Sequence, residues 1–136
     1  MAANVLVDAG FVIALLSRRD RHHRWAVAQS PGLPLPWKTC DAVLSEAFQL
    51  LGARGRPALS ALLRRGAVAP AFDLGDEFDR VLGLMQKYAD VPMSLADACL
   101  VRMTETLADP MILTTDADFR IYRRHGRQVV PCQTPR

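Results

Sequence analysis

Short, continuous apolar runs alternate along the chain with longer stretches whose apolar residues recur at helical spacing. Asn4–Asp8 (NVLVD) is an apolar run that ends in an acid, the pattern of a strand buried on both faces of a parallel sheet. Phe11–Leu16 stays apolar and predicts a short helix, with Gly10 in the turn before it. Arg21–Gln29 predicts a second helix with Asp20 as its N-cap. Ser30–Pro36 (SPGLPLP) reads as a turn leading into a short strand near Leu35–Trp37. The next helix is capped by Thr39 or Asp41 and carries Val43, Leu44, Ala47, Phe48, Leu50 and Leu51 before stopping at Gly52. Pro57–Arg65 is a further short helix, and Val68–Phe72 a candidate strand despite Pro70. A helix starting at Gly75 places Phe78, Val81, Leu82 and Met85 on one stripe, predicted to be core. Ser94 opens a strong helix, because S-L-A-D sets an acid three residues after the cap; Asp109-Pro110 stops it. Met111–Thr114 is a strand, Asp116–Arg124 a short helix or turn, and Gln128–Pro131 a last strand. This alternation predicts a parallel sheet covered by helices on both faces.

Length and composition narrow the class. With 136 residues the chain suits a single domain, 1–136, with one core. Half of the residues are hydrophobic and 23% are charged, which is ordinary globular usage. No apolar run approaches the ~18 residues of a membrane span, so no membrane association is expected. The first segment lacks a basic leading region, and Asp8 interrupts it, so it reads as a buried strand and not as a signal peptide. Cys40, Cys99 and Cys132 are odd in number and show neither pairing nor metal spacing, which suits a reduced, cytoplasmic compartment. The formal charge is +3, almost all of it from arginine. Arginine makes bidentate contacts to phosphate, although genome composition alone also enriches it.

Four acids change the picture. Asp8, Glu46, Asp97 and Asp116 each stand where an apolar segment meets its next element. Singly, three of them have an ordinary explanation: Asp8 as a turn acid, Glu46 as a solvated helical residue, Asp97 as a partner of the helix N-terminus. Jointly they are harder to dismiss. A parallel sheet keeps its functional groups outside the carboxyl ends of its strands, and Asp8 and Asp116 follow two such ends. Two charges ~8 Å apart at an effective dielectric of ~20 repel by about 2 kcal/mol. A cluster of four carboxylates therefore calls for a cation or for raised pKa values. Mg²⁺ or Mn²⁺ prefers carboxylate oxygen and water, and it would support activation of a water for attack on a phosphodiester.

The segments VLVDAGFVIALL, TCDAVLSEAFQLL, MSLADACLVRM and ILTTDADF, in this order and spacing, resemble the PIN-domain family over nearly the whole chain. Among its members they are similar to the small stand-alone VapC-like toxins. The resemblance implies a three-layer α/β/α sandwich with a central parallel sheet, and Mg²⁺- or Mn²⁺-dependent cleavage of RNA. It carries the catalytic acids onto Asp8, Glu46, Asp97 and Asp116, with Asp8, Asp97 and Asp116 as metal ligands. Thr39 matches the hydroxyl residue ahead of the family's glutamate and is assigned to substrate. In the T-x-D-x-H-F motif this chain has Thr114, Asp116 and Phe119, but Asp118 where histidine is frequent; Asp118 is assigned as a further, water-mediated metal contact. The tail DFRIYRRHGRQVVP resembles a basic-tailed subset, which implies that Arg120, Arg123, Arg124 and Arg127 meet RNA phosphate. A homodimer and a cognate antitoxin are implied as partners.

Rival readings are weaker. A non-catalytic RNA-binding or regulatory module of the same fold need not keep all four acids. A phospho-receiver would carry an acidic pair ahead of the site acid and a late lysine, yet the lysines are Lys38 and Lys87. A haloacid-dehalogenase-type phosphatase wants an acid two residues after Asp8, where Gly10 stands. No G-x-S-x-G elbow, Walker loop or G-x-G-x-x-G is present. His22 and His23, beside Arg18, Arg19, Arg21 and Arg24, form a basic patch that reads more readily as a solvated helix face than as an RNA contact. Trp25, Trp37, Tyr88 and Tyr122 read as core or interface.

Overall fold

A computed structural model describes residues 2–135. The described chain runs β1 (Asn4–Val7), α1 (Ala9–Leu16), α2 (His23–Gln29), β2 (Trp37–Thr39), α3 (Asp41–Arg64), β3 (Val68–Pro70), α4 (Leu74–Lys87), α5 (Leu95–Thr106), β4 (Pro110–Leu113), a 3-10 turn (Ala117–Arg120), β5 (Arg123–Arg124), β6 (Gln128–Val129) and β7 (Cys132–Gln133). Five strands form one sheet in the order β3-β2-β1-β4-β7, with every neighbouring pair parallel. Helices flank it in a three-layer α/β/α arrangement: α1 packs on α2 and α3, α4 packs on α5, and α3 meets α5. β1 is central because Val5, Leu6 and Val7 are buried on both faces, as its unbroken apolar run requires. No helix among the described residues is long and apolar enough to cross a membrane.

Topology decides where a site can form. The chain winds from β1 to β2 to β3 in one direction, then returns to lay β4 on the other side of β1. The carboxyl ends of β1 and β4 therefore diverge into loops on opposite sides, opening a crevice between them.

Several local expectations are corrected. The strand expected at Leu35–Trp37 lies at Trp37–Thr39, because Pro36 has no N–H for the ladder while Trp37 donates to the Ala67 carbonyl at 2.9 Å. Gly10 is inside α1 and not in a turn; Asp8 caps that helix through Phe11 N at 2.8 Å. Asp20 does not cap α2; it accepts from His22 N in a turn one step earlier, and His22 holds the cap position. Cys40, and neither Thr39 nor Asp41, holds the cap position of α3. The helix expected to stop at Gly52 resumes directly after a kink there and runs on through Pro57. The stripe on α4 is core only at Val81; Phe78 and Leu82 are 52% and 54% exposed. The last strand of the sheet is β7, whereas Gln128–Val129 pairs antiparallel with Arg123–Arg124 in a separate hairpin.

Candidate active site

The crevice between β1 and β4 holds the acids. Asp8 leaves the end of β1 and is buried; Asp116 follows β4 two residues beyond Thr114. Thr114 joins them, since its hydroxyl donates to Asp8 Oδ2 and accepts from Asp116 N at 2.9 Å. Asp97 arrives from the first turn of α5, where Ser94 and Asp97 form the expected capping box. Glu46 arrives from the second turn of α3. All four acids line one cavity of about 240 Å³, together with Gly10 and Thr115. Gly10 packs closely there: a Cβ at that position would stand 2.2 Å from Thr115 Oγ1 and force that side chain to turn.

The electrostatics follow from burial without compensation. Asp8 is pushed up to about 7, chiefly by burial, against hydrogen bonds from Thr114 and Phe11 that pull it down; the charges of Asp116 and Asp97 add to the rise. Burial also raises Asp97, helped by Asp116, and raises Glu46, helped by Asp97. Among the described residues no Lys or Arg is ion-paired with any of the four; the ion pairs are those of Arg102 with Glu77 and Glu105. This is an oxygen-donor set with an unmet negative charge, which fits a hard divalent cation. Among the described residues no three His, Cys, Asp or Glu side chains stand close enough to clasp one ion by themselves. The set thus fits an ion that takes one or two carboxylates and completes its shell with water or phosphate.

Comparison with known proteins accords with this geometry. The PIN domain family model matches residues 5–124. The chain belongs to the PIN domain family. The solved structure of VapC20 from Mycobacterium tuberculosis, a sarcin–ricin loop cleaving toxin, superposes with a TM-score of 0.76 at 22% identity, covering 85% of this chain and 92% of that one. At that identity the likeness establishes the shared fold. No curated protein matches the sequence.

Other residues expected at the site of this PIN domain lie elsewhere. Thr39 is fully buried, and its hydroxyl donates to the Val7 carbonyl at 2.9 Å, so it pins β2 to the strand that carries Asp8 and cannot meet substrate. Asp118 does not line the cavity; its backbone N–H donates to Asp116 Oδ1 at 2.9 Å and steadies that carboxylate. None of the tail arginines lines the cavity. Arg123 Nη1 is spent on the carbonyls of Arg120, Ile121 and Tyr122, and Arg120 bonds Thr134. His125 N is held by Glu105, eight residues along α5 from Asp97, which at ~1.5 Å per residue is about 12 Å. Arg127 is exposed in the turn between β5 and β6.

Two supporting residues escaped the sequence reading. Tyr122 is fully buried, edge-on to Tyr88 and Phe119, and its hydroxyl donates to Asp97 Oδ2 at 3.0 Å. Ser94 N also donates to Oδ2, at 3.3 Å, so both bonds fall on one oxygen and Oδ1 is left uncommitted. The second is Thr115, which shows only as a neighbour of Asp116 in sequence. An alternation pattern marks Tyr122 as core; nothing local links it to Asp97, 25 residues away.

Proposed function

We propose that the protein is an endoribonuclease dependent on Mg²⁺ or Mn²⁺, acting in the cytoplasm as the toxin of a toxin–antitoxin pair and working as a homodimer. The observation that carries the chemistry is the meeting of Asp8, Glu46, Asp97 and Asp116 around one cavity with no cationic partner among the described residues. The family membership and the fold shared with VapC20, itself a toxin that cleaves RNA, support the biological role.

On this reading Asp8, Asp97 and Asp116 would hold the metal between them, one or two directly and the remainder through water in its shell. When bound, the ion supplies a Lewis acid for the phosphoryl oxygens and lowers the pKa of a bound water. The protein's own groups do the rest. Thr114 fixes the Asp8 carboxylate against Asp116, and Tyr122 and Ser94 orient Asp97. Glu46, the most exposed of the four, lines the same cavity, and on this reading it accepts a proton from an attacking water. Burial, and then the charge of Asp97, raise its pKa above the usual carboxylate range, which is the direction a proton acceptor in this cavity needs.

The test is cleavage of a mixed RNA pool with Mn²⁺ and with EDTA, using wild type, Asp8→Asn and Asp97→Asn. Cleavage should require the metal and vanish in both variants, while RNA binding without metal holds or strengthens, because a charge that repels phosphate is gone. Wild-type cleavage by Asp97→Asn would assign the activity to another site. RNA binding without cleavage by wild type would favour a non-catalytic RNA-binding module.

A further inference from the structure

The acid cavity repels the very phosphates it is proposed to cut. Affinity for RNA must therefore come from cations beside it, and none of the tail arginines lines it. The nearest alternative lies along the seam between α1 and α3. Gly10 and Glu46 line the acid cavity; one turn further along the same two helices, Ile13 and Leu50 line a second, open groove of about 450 Å³. That turn is ~5.4 Å, a step comparable with that between neighbouring nucleotides. Arg18 and Arg19, just past the end of α1, and Arg54, just past the kink of α3, line the same groove. All three are exposed, and among the described residues none has an ion-pair partner; no acidic side chain lines the groove.

We infer that Arg18, Arg19 and Arg54 form the phosphate-binding track that holds single-stranded RNA next to the acid cavity. The inference rests on the nuclease reading above and gives it a substrate path. Three guanidinium groups on one wall suit a repeating anion, since each can take a phosphate bidentately. A protein helix is the competing occupant, because Leu50 is 68% exposed. The groove offers no aromatic anchor of the kind common in protein interfaces, and three arginines with no acid among the lining suit a polyanion. Arg18 and Arg19 belong to the stretch that the sequence presents as a solvated helix face; only the packing of α1 on α3 brings Arg54 to join them.

The experiment is equilibrium binding of a short single-stranded RNA to the full chain in EDTA between about 50 and 200 mM salt. Wild type is compared with Arg18→Gln/Arg19→Gln/Arg54→Gln, the corresponding triple lysine variant, and Arg127→Gln. Each lost contact removes about 0.7 from the slope of log K against log salt, so the glutamine triple should lose about 2, with affinity near 0.1 M salt falling about a hundredfold. The lysine triple should keep the slope, because the slope counts charge; Arg127→Gln should match wild type. With Mn²⁺ and limiting protein, cleavage by the glutamine triple should fall in step with its lost affinity. A wild-type slope in the glutamine triple, or no RNA binding by wild type, overturns the track and leaves the groove to a protein partner. A wild-type protein that binds RNA through the groove yet never cleaves it overturns the nuclease reading and leaves the track standing.

Discussion

Tyr122 shows how much of the site depends on a residue that touches no substrate. Its hydroxyl and Ser94 N both occupy Oδ2 of Asp97, fix the orientation of that carboxylate and leave Oδ1 uncommitted. Tyr122→Phe keeps the ring between Tyr88 and Phe119 and deletes only that bond. Loss of such an outer-shell partner should weaken Mn²⁺ affinity or cleavage about 10- to 100-fold. Calorimetric Mn²⁺ titration checks this, and unchanged affinity would reduce Tyr122 to packing. Asp8 carries the pH dependence. Its folded pKa of about 7 lies above the free value of 3.8, so the folded state holds the proton more tightly than the unfolded chain. The stability this confers is complete below about pH 4 and is lost as pH rises through 7; the span corresponds to about 4 kcal/mol. Urea unfolding in EDTA from pH 4 to pH 8 should show this fall in wild type and a flatter profile in Asp8→Asn. Equal profiles would assign the slope to other groups.

At the scale of elements, α3 carries the most consequential irregularity. Gly52 has φ 65° and ψ −174°, a region essentially reserved for glycine. The helix breaks there, and Arg56 Nε donates to the Phe48 carbonyl across the kink at 3.1 Å. A Cβ at Gly52 would meet nothing within 4 Å, so Gly52→Ala tests backbone strain alone. It should cost about 1–3 kcal/mol, read from the urea midpoint at constant slope; a neutral result would mean that the helix straightens at no cost. Gly52 and Pro57 in the sequence announce an interruption, but not that helix resumes at once on its far side. The tail hairpin was missed for a related reason. Arg123–Arg124 and Gln128–Val129 are two residues each, too short for any periodicity, and the hairpin depends on anchors from other elements: Tyr88, Lys87 and Glu105.

For the whole molecule, the four acids are a shared electrostatic load on the fold. A ligand that binds only the native state stabilises it by mass action, about 2.7 kcal/mol at a hundredfold excess over Kd. Mn²⁺ should therefore raise Tm by several degrees in wild type and by much less in Asp8→Asn or Asp97→Asn. Thermal melts across millimolar Mn²⁺ check this, and the same shift in wild type and both variants would place the ion elsewhere.

The sequence by itself determined the element types, the parallel sheet and the identity of the acids. Each of these is written in local pattern: an unbroken apolar run in Val5–Val7, a capping box at Ser94 and Asp97, acids at the ends of two strands. Tertiary structure decided which groups meet. Thr39, read as a substrate contact, is buried under the Val7 carbonyl; Arg120 and Arg123 are bonded within the tail; Arg54 comes beside Arg18 and Arg19 only because α3 packs on α1. Spacing along a chain fixes which way a side chain leaves its own helix or strand. It does not fix what stands opposite, because that depends on the order in which β1, β4 and their helices assemble.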